Sequence, residues 1–187
     1  MKYTYRKITV SEIDKLKEIN PAQYIGQAWR EVEGKRVLIE INYHDTDWPN
    51  GYDYHRNHLL QTIEGGGYAL GAFSQDNQLQ GFITVNREVF GINYKYLLID
   101  QLFITLEERK KGLGRKLFQY AVQKAKSWKA DKLYICAGSA EETIAFYHAM
   151  GCKDALEINR SLYEGDSRDM QLEVDLEDFK IQENSHE

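Results

Sequence analysis

A nine-residue apolar run, Tyr96 to Ile104, leads through a short acidic turn into Arg109-Lys110-Lys111-Gly112-Leu113-Gly114. It continues into a stretch of helical spacing that ends near Trp128. No other part of the chain restricts the fold as much. A strand aims the chain, glycines let the backbone come close to a ligand, and the exposed N–H groups of a first helical turn favour an anion there. From Arg109 to Ala130 there are eight basic residues and no Asp or Glu, in a chain of formal net charge −5. Setting that +8 aside leaves −13 on the remainder, so a local positive field stands in an acidic protein. Its expected client is a polyanion.

The glycines exclude two familiar phosphate sites. The dinucleotide fingerprint G-x-G-x-x-G needs a third glycine where Leu117 stands, and no G-x-x-x-x-G-K-[ST] sequence occurs. Arg-x-x-Gly-x-Gly at a strand-to-helix junction is the pattern that remains. In the following helix Leu113, Leu117, Ala121, Ala125 and Trp128 recur at three- and four-residue steps, so one face packs on a sheet. Lys124, Lys126 and Lys129 fall off that stripe and read as a solvated face. Arg109, Lys111 and Arg115 lie within a turn of the glycines and read as phosphate contacts.

A second segment, Leu133 to Cys152 (LYICAGSAEETIAFYHAMGC), reads as a strand, a helix carrying Phe146-Tyr147, and Gly151 as its stop. In this order and at this distance the two motifs make the stretch from Tyr68 to Leu172 resemble the GNAT N-acetyltransferases. In that family Arg-x-x-Gly-x-Gly is the acyl-coenzyme A pyrophosphate loop. Two positions depart from the family pattern: Ser139-Ala140 stands where the helix start usually offers Asn, and Cys152 follows Gly151 in place of an aromatic residue. The resemblance implies an α+β fold with a mixed, mostly antiparallel central sheet flanked by helices, and acetyl-CoA as acyl donor. It implies that Gly112, Leu113, Gly114 and Arg115 hold the pyrophosphate, with charge from Arg109 and Lys111 and a further cofactor contact at Ser139. It also implies a bulge that splays two strands, where the backbone of Leu102, Phe103 and Ile104 holds the pantetheine arm like an added strand.

Acyl transfer from a thioester to an amine needs a neutral amine, a polarised carbonyl and a proton for the departing thiolate. Tyr147 matches the general-acid tyrosine of the resembling family, and a phenol with a pKa of about 10 is protonated at neutral pH. The alternative for Tyr147 is a core tyrosine packed beside Phe146. Asp100 is the candidate base, since alternation puts it on one strand face with Leu98 and Leu102, partly buried. Its alternative is a structural hydrogen bond. No metal is needed. His44, Asp45 and Asp47 fit no metal template, and the His44 to His55 loop reads as turn chemistry or as aromatic and acidic contacts for a cationic amine.

The remaining chain is read more simply. Residues 3 to 9 alternate as a strand, Ser11 caps a short helix that Pro21 stops, and Ala22 to Val32 is a second helix ended by Gly34. Lys35 to Tyr43 is a strand and Tyr54 to Ile63 a helix. Tyr68 to Ser74, Leu79 to Asn86 and Tyr96 to Ile104 form a meander. Ala155 to Tyr163 and Met170 to Leu176 read as a closing hairpin. With 187 residues, 42% hydrophobic, the expectation is one domain over 1–176 and a polar, fraying tail over 177–187. Cys136 and Cys152 form no C-x-x-C pair and suit a reduced compartment, with Cys136 an outside candidate for a nucleophile. Neither an apolar span nor a leader is evident at Met1, so a cytoplasmic protein without membrane attachment is expected.

The reading as a whole is an N-acetyltransferase that moves acetyl from acetyl-CoA to a primary amine of a small cationic molecule in a ternary complex. Acylation of a protein lysine or N-terminus, and a non-catalytic CoA-binding module, are its alternatives. A sequence pI near 5.6 argues against a nucleic-acid partner. A homodimer through the C-terminal strands is what the resemblance suggests for assembly.

Overall fold

A computed structural model describes residues 3–179. The chain opens with β1 (Thr4–Lys7) and a 3-10 helix (Val10–Glu18). Thr9 starts that helix, two residues before the expected Ser11: its N–H and hydroxyl donate to the Glu12 carboxylate at 3.2 and 3.0 Å. The same carboxylate takes an ion pair from Arg6 at 2.8 Å, which fixes the helix against β1.

Residues 22–32 depart from their sequence reading. They form a strand, β2 (Gln23–Val32), paired antiparallel with β3 (Lys35–Asp45) in a two-stranded sheet of its own. The reason lies in the turn. Glu33 and Gly34 both adopt positive φ, 50° and 73°, which is the two-residue geometry that matches the twist of a hairpin. Gly34 therefore joins two strands where it had been read as a helix stop. Once β3 offers a ladder, Ile25, Trp29 and Val32 follow their β preference.

Beyond the hairpin come α1 (Tyr52–Glu64), β4 (Tyr68–Phe73), β5 (Leu79–Val85), β6 (Tyr96–Ile104), α2 (Leu113–Ser127), β7 (Lys132–Ala137) and α3 (Glu141–Ala149). The described chain closes with β8 (Lys153–Asp154), α4 (Arg160–Gly165) and β9 (Met170–Asp175). The closing hairpin is thus shorter than its sequence suggests. Only two residues of β8 pair with β9, and the Asn159 side chain accepts the Leu162 N–H at 3.1 Å to start α4 where a strand was expected. Of the 177–187 tail, residues 180–187 lie outside the described residues, while Phe179 packs on Phe118 with ring centroids 5.9 Å apart.

Seven strands form the main sheet in the order β1-β4-β5-β6-β7-β9-β8. All neighbours are antiparallel except β6 and β7, as expected for a mixed, mostly antiparallel sheet between helices. One face carries Leu70, Ile83, Leu97 and Ile99 against the Leu117, Phe118, Ala121 and Ala125 stripe of α2 and against Ile144 of α3. The other face carries Ala69, Phe73 and Phe82 against Leu16 and Leu59 of the 3-10 helix and α1. Every member of the α2 stripe from Leu113 to Ala125 is buried, so this helix is held by packing and not by its charges. Among the described residues no helix is long and apolar enough to cross a membrane.

Candidate active site

β6 and β7 run together only from Tyr96 opposite Lys132 to Ile99 opposite Ile135. Past that point β6 continues to Ile104 along β5, while β7 stays with β9 to Ala137. The sheet therefore opens in its middle. On the β5 side the register jumps from Val85 opposite Ile99 to Thr84 opposite Gln101, which leaves Asp100 as the extra residue of a bulge. The bulge changes which side chains share a face. Leu97 and Ile99 look towards α2, and so do Leu102 and Ile104 beyond the bulge. Asp100 and Gln101 both turn to α1, so Asp100 and Leu102 end up on opposite faces, contrary to simple alternation.

The bulge also sorts the backbone. Thr105 donates to the Gln80 carbonyl at 2.9 Å, and antiparallel alternation then turns the Phe103 and Gln101 N–H groups to β5. Those of Leu102 and Ile104 face the opening. Phe103 is not brought to the opening in either respect: its ring packs at an angle against Trp48 and His55, each at 4.8 Å between centroids. Trp48 is itself buried there, so the acidic and aromatic loop of residues 44–55 does not gather as one cluster. Asp47 accepts the Trp48 amide at 2.7 Å, and Tyr54 alone of its aromatics reaches the acceptor side described below.

The glycine turn lies at the same end of the sheet. Gly112 starts α2 at φ 84°, a left-handed conformation that side chains rarely adopt. The first intrahelical bond runs from the Lys116 N–H to the Gly112 carbonyl at 3.1 Å, so the N–H groups of Leu113, Gly114 and Arg115 project from the helix end. The first turn contains no acidic residue. At Gly114 a Cβ would stand 3.3 Å from the Phe146 ring, so the missing side chain lets α2 approach α3 closely.

Arg109 is not free to serve that turn. Its guanidinium is half-buried and donates to three backbone carbonyls, Ile104 at 3.0 Å, Ala22 at 2.8 Å and Pro21 at 3.0 Å. It ties the end of β6 to the approach to β2, in place of the phosphate contact suggested by its position next to the glycines. Lys111 pairs with Glu108 at 3.3 Å. Arg109→Ala is expected to cost about 2–3 kcal/mol, the value of hydrogen bonds from a charged donor, and Lys111→Ala less than 1 kcal/mol. Urea unfolding of the two variants checks this order.

Tyr147 lies in α3 at 7% exposure, its ring against Phe118 and Phe146. Burial pushes its phenol up, and Cys152, Cys136 and Asp169 add to the shift, so it stays protonated throughout the neutral range. Among the described residues its hydroxyl makes no hydrogen bond. Ser139, just before α3, is held by the hairpin: its carbonyl accepts the Trp29 N–H at 2.8 Å and its hydroxyl accepts from Arg30. An isolated bridge joins Ala28 to Ala140 beside them, so β2 is stitched to the start of α3.

On the α1 side of the opening stand residues that sequence reasoning did not bring together. Asp100 meets His58 Nδ1 of α1 at 3.1 and 3.3 Å from its two oxygens. The Tyr54 and His58 rings overlap at 4.1 Å, a contact that their four-residue helical spacing permits. Cys136 of β7 donates to Gln171 at 3.3 Å, and burial, followed by the charges of Asp169 and Asp100, pushes its thiol up to about 12. That opposes a nucleophilic role. Asp169, just before β9, is pushed up to about 6 by burial and then by Asp166. Protonated tyrosine, an imidazole, two carboxylates and an open strand edge thus surround one split in the sheet.

Comparison with known proteins agrees with this geometry. The model of the Acetyltransferase (GNAT) family matches residues 37–152, more than half of the chain. No curated protein sequence matches it. Among solved structures, a nourseothricin acetyltransferase superposes with a TM-score of 0.72 at 18% identity, over 94% of this chain and 99% of that one. A putative streptothricin acetyltransferase from Bacillus anthracis str. Ames, in complex with acetyl coenzyme A, gives 0.66 at 18% identity, over 92% and 96%. The PaiA N-acetyltransferase of Thermoplasma acidophilum, in complex with coenzyme A, gives 0.57 at 18% identity, over 94% and 99%. Through the family match and the split sheet alike, the chain belongs to the GNAT family of acetyltransferases.

Proposed function

We propose that the protein transfers an acetyl group from acetyl-CoA to a primary amine of a small cationic molecule, by direct attack in a ternary complex. The observation that carries this reading is the split between β6 and β7, with the amide end of α2 beside it, Tyr147 on one side and Asp100 and Asp169 on the other. An acyl-CoA fits this arrangement. The outward amides of Leu102 and Ile104 can take an extended amide-bearing arm as an edge strand takes a partner. The Leu113, Gly114 and Arg115 N–H groups offer the donors that a pyrophosphate needs, at the positive end of a 15-residue helix.

The chain's own groups then divide the work. The Tyr147 phenol, kept neutral by burial, donates its proton to sulfur as the carbon–sulfur bond breaks. On the acceptor side the carboxylate at Asp100 supports removal of the amine proton, and Asp169 attracts a second positive group. The similarity to solved nourseothricin, putative streptothricin and aminoglycoside 6'-N-acetyltransferases supports an acceptor of this polycationic kind.

The test is thiol release from acetyl-CoA with a panel holding streptothricin, an aminoglycoside, spermidine and an uncharged primary amine. Turnover with cationic members and little with the uncharged one is expected. Because Asp169 gains its charge as pH rises through about 6, the KM for a polycationic acceptor should fall across that pH, and Asp169→Asn should remove the change. Equal turnover of charged and uncharged amines would overturn the acceptor class.

A further inference from the structure

The two imidazoles of α1 stand three residues apart and are partnered differently. His55 is buried, with Nδ1 against Gln101 at 2.8 Å and Nε2 against the Pro49 carbonyl at 2.6 Å, so both nitrogens are committed. His58 uses one nitrogen only. Its Nδ1 faces both oxygens of Asp100, and among the described residues its Nε2 makes no hydrogen bond. A carboxylate accepts and does not donate, so Nδ1 carries the proton and Nε2 carries the lone pair. Asp100 in turn is the bulge residue beside the split, so the His58–Asp100 pair stands where the sheet opens.

We infer that His58 Nε2 is the group that takes the proton from the acceptor amine, and that Asp100 is a positioning residue which holds the ring and its tautomer. This rests on the acetyl-transfer reading above and names the base within it. Exposure favours the imidazole over the carboxylate: the His58 side chain is 30% exposed and that of Asp100 13%. Both Asp100 oxygens already turn to Nδ1, so direct abstraction by the carboxylate would have to break that contact. In the step itself the amine nitrogen bonds to the acetyl carbon as the carbon–sulfur bond breaks. The amine proton passes to Nε2, and the Tyr147 proton passes to sulfur. The resulting imidazolium is stabilised by the Asp100 charge next to it. The other titratable groups around the pair are Tyr54 and His55 of α1, Cys136 of β7 and Asp169 before β9. Of these Tyr54 lies against the imidazole ring itself, with centroids 4.1 Å apart.

The experiment compares wild type with His58→Gln, His58→Ala and Asp100→Asn. Streptothricin and spermidine serve as acceptors, and the thermal shift with acetyl-CoA reports an intact fold. His58→Gln is expected to lower kcat by about a hundredfold with little change in KM. Asp100→Asn is expected to lower kcat by about tenfold, and added imidazole should restore part of the His58→Ala loss. A merely structural role would lower stability and would give no rescue by imidazole. If wild type turns over and His58→Gln keeps its kcat, the inference is overturned while acetyl transfer stands. If wild type binds acetyl-CoA but releases no thiol with either amine, the acetyl-transfer reading falls, and the His58 role with it.

Discussion

Replacing Tyr147 by Phe is expected to lower kcat by about a hundredfold, the lower end of what a positioned general acid supplies. The effect should fall on turnover and not on binding. The Tyr147 ring packs on Phe118 and Phe146, and phenylalanine keeps those contacts. Its hydroxyl makes no hydrogen bond among the described residues, so its loss leaves no protein partner unsatisfied. Stability should accordingly stay within about 0.5 kcal/mol of wild type. Buried phenols with no task are tolerated but usually find a hydrogen-bond partner. A proton donor waiting for a sulfur that arrives with the substrate has a reason to lack one. Steady-state thiol release, beside a thermal shift with acetyl-CoA, separates the outcomes: wild-type kcat in Tyr147→Phe would remove the residue from the chemistry.

The second large effect concerns stability and lies away from the site. Lys132 is 1% exposed and Glu173 is 0% exposed, and they face each other across β7 and β9 at 2.5 Å. Tyr96 donates to the same carboxylate at 2.6 Å and so does the Leu156 N–H at 2.9 Å, while the Lys132 ammonium lies 4.1 Å from the Tyr94 ring centroid. Burial alone would push Glu173 up; the Lys132, Tyr96 and Leu156 contacts outweigh it and hold the carboxyl below its ordinary 4.5. Removing one partner strands the other charge. Glu173→Ala is expected to cost about 3–5 kcal/mol, and Lys132→Met with Glu173→Leu together less, since no charge is then stranded and the remaining cost is that of the Tyr96 hydroxyl and the Leu156 N–H losing their acceptor. The pH dependence follows from the sign of the shift. A carboxyl held low contributes stability above its ordinary value, and that stability is lost as pH falls through the lower value of the folded state. Chemical unfolding at pH 7 and below 4 checks both points; a wild-type midpoint in Glu173→Ala would contradict them.

Much of this arrangement was legible in the sequence between residues 68 and 152. There the periodicity is strong, and each boundary carries its own signal. The α2 stripe from Leu113 to Ala125 has one apolar face and a glycine start, so nothing competes with a helix. Residues 22–32 lacked that clarity. Their apolar groups fit either period, and the deciding fact, a ladder with β3 across a two-residue turn at positive φ, depends on a partner strand and not on local preference. Arg109 shows the limit of charge patterns. Its place beside Gly112 suggested a phosphate, but three carbonyls from segments up to 88 residues away claim the guanidinium. The missing imidazole has the same cause. His58 and Asp100 are 42 residues apart, and a bulge, not alternation, turns Asp100 towards α1. Sequence spacing identifies neighbours along one element, whereas this pair is made by two.

Thermal unfolding with and without acetyl-CoA tests the central claim most directly, on wild type and on Gly114→Glu. A ligand at a hundred times its dissociation constant should stabilise the native state by roughly 2.7 kcal/mol. A glutamate at Gly114 would bring a negative charge to the first turn of α2 and set its Cβ 3.3 Å from the Phe146 ring. The account predicts a clear upward shift for wild type and none for the variant. No shift in wild type, or the same shift in both proteins, would contradict a cofactor at the Gly112 to Arg115 turn and the acetyl-transfer function built on it.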